Sequence, residues 1–368
     1  MPKKPLIIPI FIPHQGCPHR CSFCNQTAIT TGSAQVTLHT RIEQYLAYGS
    51  AKRGPAQVAF YGGNFMGMDR RTITGLLESL SPWLESEQVT GIRFSTRPDT
   101  VTQERLDWIA PFPVDTIELG VQSMNDAVLH RARRGHTSAD TCLAVGRLKS
   151  HSYQIGLQLM LGLPGDDATG ALNSAEDAAA LAPDFVRIYP TLVLAGSPLA
   201  AAYNAGDYTP LTLAEALDQA KAMVCRFHHD HIPVIRLGLQ AADGLEDPAV
   251  VLAGPYHPAF GHQVYASLYA DAAHALLAQL APLPESPVLK AHPRHLSRLQ
   301  GLNRKNLSAL RDLFSRPQLT MRADGELGID EISCGETRRS VWSRPKPTSF
   351  GHHQASATAM ADDYSSSA

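Results

Sequence analysis

The run Pro13-His14-Gln15-Gly16-Cys17-Pro18-His19-Arg20-Cys21-Ser22-Phe23-Cys24 carries three cysteines in C-x3-C-x2-C spacing, directly after the apolar run 6–12. At this spacing one short loop can set three thiolates round a single metal centre. Four thiolates would close a cubane iron–sulfur cluster. Three leave one iron without a protein ligand, open to a small molecule. A structural zinc site asks for four protein ligands, usually on two knuckles far apart in sequence. Only His14 or His19 is near enough to be the fourth, and no second knuckle follows. A disulfide framework does not suit 368 residues with six cysteines. The loop is read as a cluster loop ligated by Cys17, Cys21 and Cys24.

Outward from it, short apolar runs alternate with helix-length segments. Strands are expected at 6–12, 57–61, 91–96, 115–121, 154–160 and 184–189. Amphipathic helices are expected at 39–51, 70–84, 103–109, 138–149 and 171–181. Parallel strands need crossovers, usually helical, so six strand–helix units predict a parallel sheet. The strands are nearly continuous apolar runs, as a sheet covered on one face and filled on the other requires. A doubly wound open sheet and a full or partial (β/α) barrel share this pattern. A polar or Gly-rich signature follows each strand: the cysteine loop, Tyr61-Gly62-Gly63-Asn64, Ser95-Thr96-Arg97-Pro98-Asp99, Gly120-Val121-Gln122-Ser123, Gly162-Leu163-Pro164-Gly165 and Tyr189-Pro190-Thr191. All sit at C-terminal strand ends, the rim that carries the site in (β/α) barrels.

Hydrophobic content of 44% supports a substantial core. A net charge of -2 says nothing global about partners, so any nucleic-acid surface must be local. Cys142, Cys225 and Cys334 stand alone and are read as small buried apolar residues. The apolar start is short, is interrupted by Pro9 and lacks a small-residue cleavage site, so it is read as a first strand rather than a signal peptide. No stretch reaches the length of a membrane span, and a cytoplasmic protein is expected. The domain expectation is a barrel over 1–240, a loop and helix extension over 241–283, a small α+β module over 288–335 and a disordered tail over 344–368. The run His228-His229-Asp230-His231 ends an expected helix, where cationic side chains suit the dipole.

With the cysteine loop and the rim signatures together, the chain resembles the radical S-adenosylmethionine (SAM) superfamily. Within it the chain is similar to the radical SAM domain of the catalytic subunit of Elongator and its bacterial relatives. The likeness rests on the cysteine loop with Phe23 before the third cysteine, Tyr61-Gly62-Gly63-Asn64, Thr96-Arg97-Pro98-Asp99 and Glu118-Leu119-Gly120-Val121-Gln122-Ser123. Arg134-Gly135-His136-Thr137 and Arg187-Ile188-Tyr189-Pro190-Thr191-Leu192-Val193 extend it over about residues 6–240. It departs in three places. The sequence leaves no room for the acetyltransferase domain that follows in the Elongator subunit, Asn64 stands where an acidic residue is usual, and Ser95 where relatives often carry Glu.

The resemblance implies a partial (β/α)6 radical SAM barrel holding a [4Fe-4S] cluster and SAM. The free iron would chelate the SAM amino and carboxylate groups, and one electron would break the C–S bond to leave a 5′-deoxyadenosyl radical. That electron implies a reductant of flavodoxin or ferredoxin type. It further implies Gly62, Gly63 and Asn64 at the amino group, Arg134 at the carboxylate, and Gln122, Ser123, Gln158 and Ser95 among the polar contacts. Phe23, Ile188 and Tyr189 would border the adenine.

Between 288 and 316 the basic residues are Lys290, Arg294, Arg298, Arg304, Lys305, Arg311 and Arg316, opposed only by Asp312. Two short helices joined at Gln300-Gly301-Leu302-Asn303-Arg304-Lys305 resemble the helix–loop–helix of KH domains, whose loop clamps an RNA backbone. The second glycine of that loop is missing. Three function classes follow: a radical SAM enzyme on RNA, first a tRNA base; a radical SAM enzyme on a small metabolite, like the coproporphyrinogen oxidases; and a non-catalytic cluster- or RNA-binding protein.

Overall fold

The computed structural model describes residues 5–18, 20–25, 37–48, 54–239, 243–280 and 282–343. The expected tail over 344–368 and the boundary at 240–241 lie outside these. Six parallel strands stand where the sequence places them: β1 (Pro5–Phe11), β2 (Gly54–Tyr61), β3 (Val89–Thr96), β4 (Val114–Gln122), β5 (Gln154–Leu161) and β6 (Phe185–Pro190). A short strand, β7 (Val193–Leu194), leaves the sheet to pair with β9 (Val251–Ala253). A seventh parallel strand, β8 (Val234–Leu237), follows β6 in the sheet. The order β1-β2-β3-β4-β5-β6-β8 never reverses. A doubly wound sheet reverses at its switch point, so the sheet is the partial barrel.

Side chains alternate across each strand. Ile8, Val58, Phe60, Ile92, Phe94, Ile117, Leu119, Leu157, Leu159, Val186 and Ile188 form the outer, fully buried layer. Helices cover that layer: α1 (Leu38–Ala47), α2 (Arg70–Glu78), α3 (Ser81–Glu85), α4 (Gln103–Ile109), α6 (Ser138–Lys149), α7 (Ala168–Ala180) and α9 (Leu213–His229), whereas α5 (Asp126–Arg131) and α8 (Pro198–Ala205) pack in small clusters beside Phe23. Capping boxes start α6 at Thr137 and Asp140, and α9 at Thr212 and Glu215. The helix expected over 70–84 is two helices. Pro82 lacks the N–H that a continuing helix needs, so α2 stops and α3 restarts with that proline in its first turn.

α10 (Phe260–Gln279) belongs to two cores. Phe260, Val264 and Leu268 pack into the barrel layer. Tyr269, Ala273, Leu276 and Leu277 pack into a second core beneath β10 (Val288–Ala291), α11 (Leu296–Gln300), α12 (Lys305–Leu313), β11 (Thr320–Ala323), β12 (Glu331–Cys334) and β13 (Thr337–Ser340). This module starts β10-α11-α12-β11. It continues through β13, past residue 335. Its four-stranded sheet has β10 parallel to β11 and antiparallel to β12. Cys334 is buried as expected, whereas Cys142 and Cys225 are exposed. Within the histidine run His228 stacks on Trp342, and Asp230 pairs with Arg226 at 2.7 Å. No helix among the described residues is long and apolar enough to cross a membrane.

Candidate functional site

The cysteine loop is built by interlocking backbones. Ile12 N–H donates to the Tyr61 carbonyl (2.8 Å), His14 N–H to that of Gly62 (3.3 Å), and Asn64 N–H to that of Gln15 (2.8 Å). Gly16 adopts φ +71, and a Cβ there would strike the Asn64 carbonyl. A Cβ on Gly63 would strike the Ile12 and Gln15 carbonyls. Only glycine tolerates such approach. Farther along, Ser22 N–H donates to the Ala132 carbonyl (3.0 Å), and Leu199 N–H to that of Ser22 (2.8 Å). Chain segments after β2, β4 and β7 thus hold the loop that follows β1.

The loop closes one end of a cavity of about 650 Å³ at the C-terminal rim of the sheet. Cys17, Cys21, Phe23, Cys24, Gly62, Gly63, Ser95, Gln122, Arg134, Gln158 and Tyr189 all line it. Gln122 reaches the wall because β4 bulges between Gly120 and Gln122, giving Gln122 a φ of +72. Arg134, buried, donates from Nη1 to the Cys21 Sγ (3.1 Å) and from Nη2 to the Gly120 carbonyl. Its Nε is buried without a hydrogen-bond partner among the described residues. Burial, then the neighbouring Cys21, pushes the Cys17 thiol up.

Three predicted residues do not reach the cavity. Asn64 is fully buried, with its amide spent on backbone and hydroxyl partners: Nδ2 donates to the Gly16 carbonyl (2.9 Å), while Oδ1 accepts from Thr96 Oγ1 (2.7 Å), Arg97 N–H (3.0 Å) and Thr100 Oγ1 (3.0 Å). Ser123 Oγ meets Ser174 Oγ (3.1 Å) and accepts from Asn125 N–H (3.1 Å). Ile188 faces the outer layer, because on β6 the inward positions are Arg187 and Tyr189.

The inner wall also holds a buried ionic network. Glu118, with no exposed surface, pairs with Arg93 Nη2 (2.9 Å) and Arg187 Nε (2.7 Å), and accepts from Tyr61 OH (3.0 Å) and Gln158 Nε2 (2.9 Å). Gln158 Nε2 donates to Ser95 Oγ at 3.0 Å as well. Against the cost of burial, the Glu118 carboxylate holds Arg187 above its ordinary value. Burial, then Glu118, raises the Tyr61 phenol. Arg236, on β8, also lines the cavity and donates from Nε to the Gly238 carbonyl (3.1 Å). Sequence reasoning gave no role to Arg93, Glu118, Arg187 or Arg236. Their signal was charge at alternate positions inside otherwise apolar strands.

Among the described residues no three His, Cys, Asp or Glu side chains converge as a single ion needs; His19, one of the two candidate fourth zinc ligands, lies outside them. A cubane instead takes thiolates on separate irons.

The Radical SAM superfamily signature matches residues 11–178, and the Radical_SAM C-terminal domain matches residues 183–270. The chain belongs to the radical SAM superfamily. That membership makes it an enzyme of a family that works with SAM and a [4Fe-4S] cluster. This radical SAM chain is 29% identical over 225 residues to the uncharacterized protein MJ0486 of Methanocaldococcus jannaschii, covering 58% of this chain and 68% of that protein. It is 25% identical over 279 residues to a tRNA uridine(34) acetyltransferase of Dehalococcoides mccartyi, covering 63% of this chain and 60% of that one. In fold it is similar to the archaeal Methanocaldococcus infernus Elp3 (TM-score 0.57, 20% identity), over 73% of this chain and 63% of that chain. It therefore spans less than two thirds of that acetyltransferase and of Elp3. The donor set fits the family's cluster: three thiols free of disulfides, on one cavity wall, with a guanidinium on the buried one. Iron coordination deprotonates such thiols outright, whatever burial does to them beforehand.

Proposed function

We propose that Cys17, Cys21 and Cys24 hold a [4Fe-4S] cluster, and that the protein uses SAM there to modify RNA, first a tRNA base. The observation that carries this reading is the meeting of all three thiols with Arg134 in one cavity at the sheet's C-terminal rim. Bound there, the cofactors supply one-electron cleavage of the sulfonium C–S bond and a 5′-deoxyadenosyl radical. Arg134 Nε is the free donor for the SAM carboxylate, while its other nitrogens stay on Cys21 and Gly120. Gln122, Ser95 and Gln158 offer polar groups for the ribose, and Phe23 and Tyr189 offer surfaces for the adenine. Gly62 presents backbone at the amino group. Gly63 lines the cavity and also makes room for the cysteine loop, while Asn64, Ser123 and Ile188 act behind the wall by fixing the loop and the strand ends. The electron comes from a flavodoxin- or ferredoxin-type donor, and the protein works in the cytoplasm. The tRNA part of the reading is supported by relatives that carry that substrate in their names.

The test is anaerobic reconstitution with iron and sulfide, then dithionite and SAM. The intact chain should turn brown and release 5′-deoxyadenosine, and bulk tRNA should raise the rate. Cys17→Ala should lose both colour and product. No 5′-deoxyadenosine from brown protein would make it a binding module. Stimulation by a porphyrinogen, and none by tRNA, would move the reading to a small metabolite.

A further inference from the structure

Residues 288–343 lie beyond both matched family segments. Four of the seven cations between 288 and 316 are engaged. Lys290 pairs with Asp324 (3.1 Å), Arg311 donates to the Leu319 carbonyl (2.9 Å), and Arg316 to the Pro284 carbonyl (3.1 Å). Arg298 lies over the Tyr265 ring, 4.2 Å from its centre. Arg294, Arg304 and Lys305 are exposed, with no carboxylate in ion-pair range among the described residues. Arg304 ends the loop between α11 and α12, beside exposed Asn303, and Lys305 opens α12. At the position of the missing glycine, Arg304 itself takes a left-handed conformation (φ 61), as does Asn303 (φ 51).

The loop is fixed, and its place is set by α10. Asn306 Nδ2 donates to the Ala266 carbonyl (2.9 Å), bonding the loop to that helix, and to the Arg298 and Leu299 carbonyls (both 3.2 Å). Phe260 and Gly261, which begin α10, pack on Gly238 and Leu237 at the C-terminal end of β8. Leu239, next in sequence, lines the cavity, as does Arg236. From Phe260 to Ala266 a helix rises about 9 Å. Two unneutralised cations are therefore carried beside the second turn of α10, whose first residues pack on the end of β8 that borders the cavity.

We infer that Asn303, Arg304 and Lys305 grip backbone phosphates of a single-stranded RNA segment whose neighbouring nucleotide enters the cavity. This rests on the RNA reading above and deepens it. Phosphate contacts position a strand without reading its sequence, so the cavity would choose the base and the loop its register. Each lost phosphate contact on a single strand flattens the salt dependence of binding by about 0.7.

The experiment measures bulk tRNA binding to the full-length, cluster-loaded protein across a salt series. Arg304→Glu/Lys305→Glu, and the milder Arg304→Gln/Lys305→Gln, should weaken binding and flatten log K against log salt by about 1.4. Reversal of exposed Arg70 and Arg71 on α2 should leave the slope unchanged. Equal slopes in wild type and both loop variants, with tRNA still stimulating 5′-deoxyadenosine release, overturn the clamp and leave the RNA reading standing. No tRNA binding and no stimulation overturn both. If the loop variants lose binding to anionic phospholipid vesicles while keeping tRNA affinity, the clamp is overturned in favour of a membrane surface.

Discussion

Glu118 is the residue on which the barrel's inner wall turns. Two guanidiniums, a phenol and an amide converge on one carboxylate that water does not reach. Removing one member of such a set leaves buried charge uncompensated, at about 3–5 kcal/mol. Glu118→Gln should lose stability on that scale, read as a drop in urea midpoint at unchanged m-value. Two other residues set the pH response. Burial, then Arg134 and Arg97, holds His136 down to about 4 from 6.5. The unfolded chain therefore takes up that proton first, and stability is full above about 6.5 and falls as pH drops toward 4. Burial pushes Asp166 up to about 6 from 3.8. Its contribution has the opposite sign, being fully present below about 3.8 and lost as pH rises through 6. Between 4 and 6 the two slopes oppose. Asp166→Asn should steepen the acid loss of stability and His136→Gln should flatten or reverse it, both read from urea melts across that range.

Among elements, the interlock of the cysteine loop with the chain after β2 gives Gly63 its meaning. The Gly-Gly motif was legible as a motif, but its chemistry was not: Gly63 makes room for the Ile12 and Gln15 carbonyls. Gly63→Ala should displace the loop, costing about 1–3 kcal/mol as an overpacked site does. Iron per chain after reconstitution should fall. The strands were readable because their outer positions form unbroken apolar alternation, and the cysteine loop because its spacing is local. The helix expected over 70–84 ran through Pro82 because the apolar period continues across it while the backbone does not. The Glu118 network stayed hidden for a different reason. Arg93, Glu118 and Arg187 are 25 and 69 residues apart, and only the parallel register brings them to one point. Asn64 and Ser123 looked like ligand contacts by motif, yet backbone and side-chain partners absorb their hydrogen-bonding capacity.

For the molecule as a whole, α10 makes barrel and module one folding unit. Tyr269 is buried in the module core, its hydroxyl donating to the Ile329 carbonyl (3.0 Å) and meeting His295 Nδ1 (2.6 Å). Tyr269→Ala should cost about 3–5 kcal/mol, as large-to-small core changes do. It should shift a single calorimetric transition instead of splitting it. A chain cut after α10 would bare Leu276 and Leu277 and should bind a hydrophobic dye. Trp342 touches both cores, and its ring lies 3.7 Å from that of His228, nearly parallel. Burial lowers the His228 pKa below its usual value, and protonated imidazole quenches indole emission. The seam between the two bodies thus carries its own optical gauge, dimming in acid while they are docked and brightening when they part.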